Sequence, residues 1–97
     1  MNQITAMRVF CRVVDLGSFT LAATQLGMSP AAVTRNVSVL EAHLNVKLIN
    51  RSTRRLQLTE AGSEYREGCR TILEDLDIVG DRASRAPHER PRDVTDR

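Results

Sequence analysis

Two groups of residues in this chain have the types and spacing needed to recognise a nucleic-acid duplex. The first is Ser29-Pro30-Ala31-Ala32-Val33-Thr34-Arg35, continued by Ser38. A capping hydroxyl followed by proline at the first helical position, where the missing N–H is harmless, predicts a helix start. On that helix Ala31, Thr34, Arg35 and Ser38 lie away from the apolar positions. A face of short polar side chains with one guanidinium suits entry into a major groove, and the arginine fork matches the O6/N7 acceptor pair of guanine. Ala31 and Val39 occupy the i−4 and i+4 positions of Arg35, so no intrahelical carboxylate competes for it there. The second group is Arg51, Arg54 and Arg55, three arginines within five residues at the predicted tip of a short hairpin. A basic loop beside a groove-entering helix can reach the neighbouring phosphates or the minor groove.

Other chemistries find no comparable set. His43 falls on a predicted helix and His88 in a charged, proline-bearing stretch, neither with a nucleophile or carboxylate pair set against it. No glycine-rich phosphate loop is present, and Ser29 is explained as a cap. Cys11 and Cys69 form neither a CxxC nor a Cys/His ligand pattern. Catalytic residues, metals, cofactors and a small-molecule site are therefore expected to be absent from this chain.

The elements that must position these groups follow from local chemistry. A first helix is predicted from about Gln3 to Leu16, with Asn2 as N-cap and Met7, Val9, Phe10, Val13 and Val14 forming an apolar stripe wider than one packing partner requires. Gly17 ends it in the left-handed conformation that glycine takes at little cost. A second helix spans roughly Thr20 to Leu26, capped by Ser18 or Thr20, with the small residues Ala22 and Ala23 allowing close approach of the third. After the turn at Gly27-Met28, the third helix runs from Pro30 to about Leu44, burying Val33, Val37, Leu40 and Leu44. Asn45 tolerates the left-handed conformation and stops it. Lys47-Leu48-Ile49 and Leu56-Gln57-Leu58 are too short for helices and predict a two-stranded wing. Thr59 then caps a last helix, with Glu60 favouring the dipole of its first turn. The expected fold class is mainly α: a winged helix-turn-helix (three helices plus a two-stranded wing) over residues 1–59, a long dimerisation helix over 60–84, and a hinge or disordered tail over 85–97.

In the last helix Tyr65, Cys69, Ile72, Leu76 and Val79 recur with a period of 3.5, which marks a helix–helix seam. About 25 residues of helix span roughly 37 Å, too long for so small a head to cover. Pairing with the same helix of a second chain is expected, the alternative being that it folds back on its own head. Gly68 and Gly80 weaken it by about 1 kcal/mol each relative to alanine. Cys69 reads as a small packing residue of the seam rather than a redox sensor.

Size and charge agree with this picture. A chain of 97 residues holds one small domain plus one projecting element. Such a domain buries only about 60–65% of its unfolded surface, so a partner subunit would stabilise it. With three aromatic rings in all (Phe10, Phe19, Tyr65), the core must be aliphatic, which suits a helical bundle better than a sandwich. The net charge of +2 hides an asymmetry: residues 1–62 hold seven Lys or Arg against three acids, residues 63–97 seven Arg against nine acids. A positive head and a mildly acidic helix suit a nucleic-acid surface on one half and a protein contact on the other. No run is long and apolar enough for a membrane, no signal-peptide pattern opens the chain, and the expected compartment is reducing cytosol.

In this order the elements resemble the N-terminal domain of LysR-type transcriptional regulators. The resemblance covers about residues 2 to 92. It is carried by Gly17-Ser18-Phe19-Thr20-Leu21-Ala22-Ala23, Ser29-Pro30-Ala31-Ala32-Val33-Thr34-Arg35, Leu40-Glu41, Leu48-Ile49-Asn50-Arg51-Ser52-Thr53-Arg54-Arg55 and Leu56-Gln57-Leu58-Thr59-Glu60-Ala61-Gly62. Each match is weak alone, and specific when all occur at family spacing. The resemblance implies a winged helix-turn-helix with a dimerising linker helix, in bacterial regulators that bind partly palindromic double-stranded sites as dimers or tetramers. It implies base reading by Pro30, Ala31, Thr34 and Arg35, minor-groove entry by Arg54 with Arg55 beside it, and a backbone contact or wing-holding role for Arg51. Pro30 stands where many members carry Gln, removing a bidentate adenine contact, and Asn45 stands where Gly is usual. A typical member continues into a periplasmic-binding-protein-like effector domain, so the expectation is a truncated piece or a form without its sensor. A competing reading is a dimerisation module that pairs with a full-length regulator and binds no DNA itself.

Overall fold

Every helix in the computed structural model, which describes residues 1–51 and 55–87, begins at a side chain that captures a first-turn N–H. Asn2 Oδ1 accepts from Thr5 N at 3.0 Å, Ser18 Oγ from Leu21 N at 3.0 Å, Ser29 Oγ from Ala32 N at 3.1 Å and Thr59 Oγ1 from Gly62 N at 2.9 Å. The helices so defined are α1 (Gln3–Leu16), α2 (Phe19–Leu26), α3 (Pro30–Leu44) and α4 (Glu60–Arg85). The first three end at left-handed residues, Gly17 (φ 65°), Gly27 (φ 68°) and Asn45 (φ 58°). Asparagine is one of the few side chains that tolerates this region, so it can replace glycine at such a stop. Ser18, rather than Thr20, caps α2, which starts one residue earlier than its spacing predicts.

The wing is shorter than expected: β1 (Ile49–Asn50) pairs antiparallel with β2 (Gln57–Leu58), in the register Ile49↔Leu58 and Asn50↔Gln57. Lys47 and Leu48 stay outside the ladder for a specific reason. The Glu41 carboxylate on α3 is buried and accepts from the backbone N–H of Leu48 at 2.7 Å and of Ile49 at 3.1 Å. The next element grips the same peptide from the other side. The Thr59 hydroxyl donates to Lys47 O at 2.6 Å, and Thr59 N donates to Leu48 O at 3.0 Å. Gly62 then packs directly on that carbonyl, where an added Cβ would lie 2.0 Å from Leu48 O. The junction at Leu48 thus joins α3, the wing and the start of α4. Replacing Glu41 by glutamine keeps the shape but removes the charge from two hydrogen bonds. It is expected to lower the unfolding free energy by about 1–3 kcal/mol, read as a shifted urea midpoint with unchanged slope.

The core is aliphatic around one ring: Ala6, Val9, Phe10 and Val13 of α1, Ala22 and Ala23 of α2, Val33, Val37 and Leu40 of α3, with Leu48 and Ile49 closing it from the wing. The wide apolar stripe of α1 is used within the chain, since α1 packs on α2, α3 and α4. On α4, Cys69 is fully buried, and the Tyr65 ring lies 5.8 Å from that of Phe10. Arg66 pairs with Asp15, and Arg8 reaches Asp77 at 3.6 Å, fixing α4 along α1. The expected seam therefore divides. Tyr65 and Cys69, expected at a contact between chains, pack inside this one, because the first turns of α4 lie against α1. Ile72, Leu76 and Val79 stay uncovered by the head, 48%, 41% and 63% exposed. The α4 helix ends at Arg85, ahead of Pro87, whose ring disfavours helical backbone in the residue before it. Of the stretch read as a hinge or tail, Arg85 is thus helical, and residues 88–97 lie outside the described residues. Among those described, no helix is long and apolar enough to cross a membrane.

Candidate nucleic-acid interface

The face of α3 opposite its buried Val33, Val37 and Leu40 carries the expected set. Ser29, Pro30, Ala31, Arg35 and Ser38 are exposed and Thr34 is half-buried. Local bonding decides which backbone donors remain. Pro30 has no N–H, Ala32 N is taken by Ser29 Oγ, and Val33 N bonds Ser29 O at 3.1 Å. The Ala31 N–H remains unspent among the described residues, at the positive end of the helix dipole. The cap and the proline thus leave this one amide of the first turn. Arg35 has no ion pair among the described residues, in keeping with the lack of acids one turn away.

The wing brings a second basic surface to the same side. Ser38 on α3 lines an open groove with Lys47, Ile49, Asn50, Arg51 and Thr59. Arg51 sets its guanidinium carbon over the Phe19 ring, 4.5 Å from the centroid. Arg55 is exposed next to β2. Arg54, the expected minor-groove residue, lies outside the described residues. Lys47 was not singled out by sequence reasoning. Its side chain is 75% exposed with Nζ 3.8 Å from Glu41, which leaves it facing solvent at the groove. Its only sequence signal was a place at the start of the predicted first strand of the wing. Glu41 was likewise legible only as part of a motif, since nothing in a helical acid announces that it will be buried.

The unusual titrations fall on the other side of the molecule, where α4 meets α1. Burial, followed by the nearby Cys11, pushes the Cys69 thiol from 9.0 up to about 12. Burial, with Asp15 adding to it, also raises Cys11, and burial raises Tyr65, whose hydroxyl is enclosed near Gln3 and Cys69. These are weak nucleophiles, because the thiolate is the reactive form. Cys69 is expected to resist a disulfide reagent at pH 8 in the native chain and to react promptly in urea. Raised folded-state values favour the neutral forms, so the stability they contribute is whole below about pH 9 and is lost as the pH climbs toward 12. A urea midpoint that falls between pH 9 and 11, and falls less in Cys69→Ala, would check the sign.

Residues 4–63 match the family model described as bacterial regulatory helix-turn-helix protein, lysR family. A transcriptional repressor of Pseudomonas aeruginosa is 51% identical over 77 residues, which are 79% of this chain and 24% of the relative. The transcriptional activator AaeR of Escherichia coli is 51% identical over 79 residues, 81% of this chain and 26% of AaeR. The chain thus spans about a quarter of the length of these curated relatives. Among solved structures, a BenM DBD–catB site 1 DNA complex superposes with a TM-score of 0.84 at 26% identity, covering 89% of this chain and 98% of that one. A CbnR DBD–DNA complex superposes at 0.78 with 37% identity, covering 86% and 95%.

Proposed function

Because this chain belongs to the lysR family of bacterial regulatory helix-turn-helix proteins, we propose that it binds double-stranded DNA sequence-specifically, as the DNA-binding part of a transcription regulator. The observation that carries this reading is the solvent-facing N-terminal side of α3, set beside a basic wing on a scaffold whose solved relatives include two DNA complexes. In the reading, α3 lies in the major groove with the Ala31 N–H and the Ser29 and Thr34 hydroxyls toward a phosphate. Arg35 reads guanine, while Arg51, Arg54 and Arg55 follow the backbone or the minor groove. Ser38 and Lys47 flank the path between helix and wing.

Ile72, Leu76 and Val79 support pairing of α4 with the α4 of a second copy, a homodimer that can pair again into a tetramer. Two heads so joined would meet half-sites about one helical turn apart, roughly 34 Å, or a multiple of it. A cytoplasmic setting goes with this reading. The same exposed strip supports a second reading, a module that only dimerises with a longer regulator.

Selection of bound sequences from random duplex DNA at two salt concentrations tests both. The DNA-binding reading requires a recovered motif with regularly spaced half-sites, and affinity that falls steeply with salt, by about 0.9 in log–log slope per phosphate neutralised. Failure to retain any duplex at low salt would leave only dimerisation.

A further inference from the structure

Arg51 follows β1 directly, and its guanidinium carbon lies 4.5 Å from the centre of the Phe19 ring. That ring is well anchored. Phe19 is the first residue of α2, fixed by the Ser18 cap, and it packs against the buried core. Among the described residues no carboxylate pairs with Arg51. Partner type matters to what the arginine can still do. A carboxylate would occupy the in-plane N–H donors and cancel the charge, as Asp15 does for Arg66. An aromatic ring attracts the cation through its quadrupole and covers only one face. The five N–H donors lie in the guanidinium plane, so their edges stay open and the positive charge is kept. The side chain also lines the groove between α3 and the wing, beside Ser38 and Lys47.

We propose that Phe19 is a positioning residue for DNA binding: its ring holds the Arg51 guanidinium edge-outward as a pre-oriented fork for one backbone phosphate at the base of the wing. The proposal rests on the DNA-binding reading above. Phe19 acts through Arg51 alone and touches no nucleotide. Holding a long side chain in place before binding lowers the rotamer entropy lost on contact, so affinity is gained without a new contact.

The test is a double-mutant cycle on the selected DNA site, with Phe19→Leu and Arg51→Ala alone and together. Arg51→Ala is expected to lower the log–log salt slope by about 0.9, one phosphate's worth. Phe19→Leu is expected to weaken binding about 2–5-fold in the native background, the range of one exposed cation–π contact, and to have no effect once Arg51 is alanine. A purely structural role would weaken both backgrounds equally. Should Phe19→Leu fold poorly, a fluorinated phenylalanine at position 19 keeps the ring's shape while draining its quadrupole, and must give the same coupled loss at an unchanged thermal midpoint. Phe19→Trp is expected to preserve affinity. If Arg51→Ala lowers the slope while neither change at position 19 couples to it, the positioning role is overturned and the DNA-binding reading stands. If Arg51→Ala leaves the slope unchanged, the fork itself is overturned. If the unmodified chain binds no duplex, it is the underlying reading that has failed.

Discussion

Arg35→Ala is expected to weaken binding to the selected DNA site about 5- to 150-fold, the equivalent of about 1–3 kcal/mol, and to flatten base preference at one position of each half-site. The reasoning begins from what Arg35 lacks. It is exposed on the polar side of α3, with no ion pair among the described residues and no acid one turn away. A cation held by a neighbour would lose that partner on entering the groove; Arg35 has none to lose. Its position also separates it from the wing arginines in kind. A phosphate contact weakens all sequences alike, whereas a bidentate contact to guanine discriminates. Arg35→Lys is the informative companion, since it keeps the charge and loses the fork. Lysine should restore part of the affinity and little of the preference. Recovery of an unaltered, equally sharp motif from Arg35→Ala would remove Arg35 from base reading.

Helix boundaries and caps were legible because each depends on a few adjacent residues. Asn2, Ser18, Ser29 and Thr59 all cap, and Gly17, Gly27 and Asn45 all stop helices, as short-range chemistry requires. The polar face of α3 was legible for a similar reason: the period of Val33, Val37 and Leu40 fixes the opposite side. What stayed hidden depends on contacts between distant segments. A buried Glu41 cannot be told from a surface glutamate until the backbone N–H groups of Leu48 and Ile49 arrive above it. The cation–π contact of Arg51 with Phe19 joins positions 32 residues apart in sequence, with no local signal linking them. Nor can a period of 3.5 say which body covers the stripe. Tyr65 and Cys69 carry the same spacing as Ile72, Leu76 and Val79, yet the first two are covered by α1 of their own chain.

That division of the stripe makes Leu76 the most useful position for separating assembly from folding. Leu76 is 41% exposed and lies two turns past Cys69, the last buried residue of α4. Leu76→Glu should therefore leave the head's thermal midpoint nearly unchanged, whereas a charge at the buried Cys69 would not. A glutamate between Ile72 and Val79 would set two like charges within one helix–helix contact, with apolar surface left uncovered around them. If α4 pairs as proposed, sedimentation should then show a monomer at concentrations where the unmodified chain sediments as a dimer. The consequence for DNA is larger than that of any single base contact. Two linked heads convert the second half-site into an intramolecular partner, a gain of about 10²–10⁴ in overall affinity. Leu76→Glu is expected to forfeit that gain on a two-half-site duplex and to change binding to an isolated half-site by less than about threefold. A Leu76→Glu chain that stays dimeric would move the interface elsewhere. A monomer with undiminished affinity for the full site would show that the heads engage DNA independently, and the proposed role of α4 would be wrong.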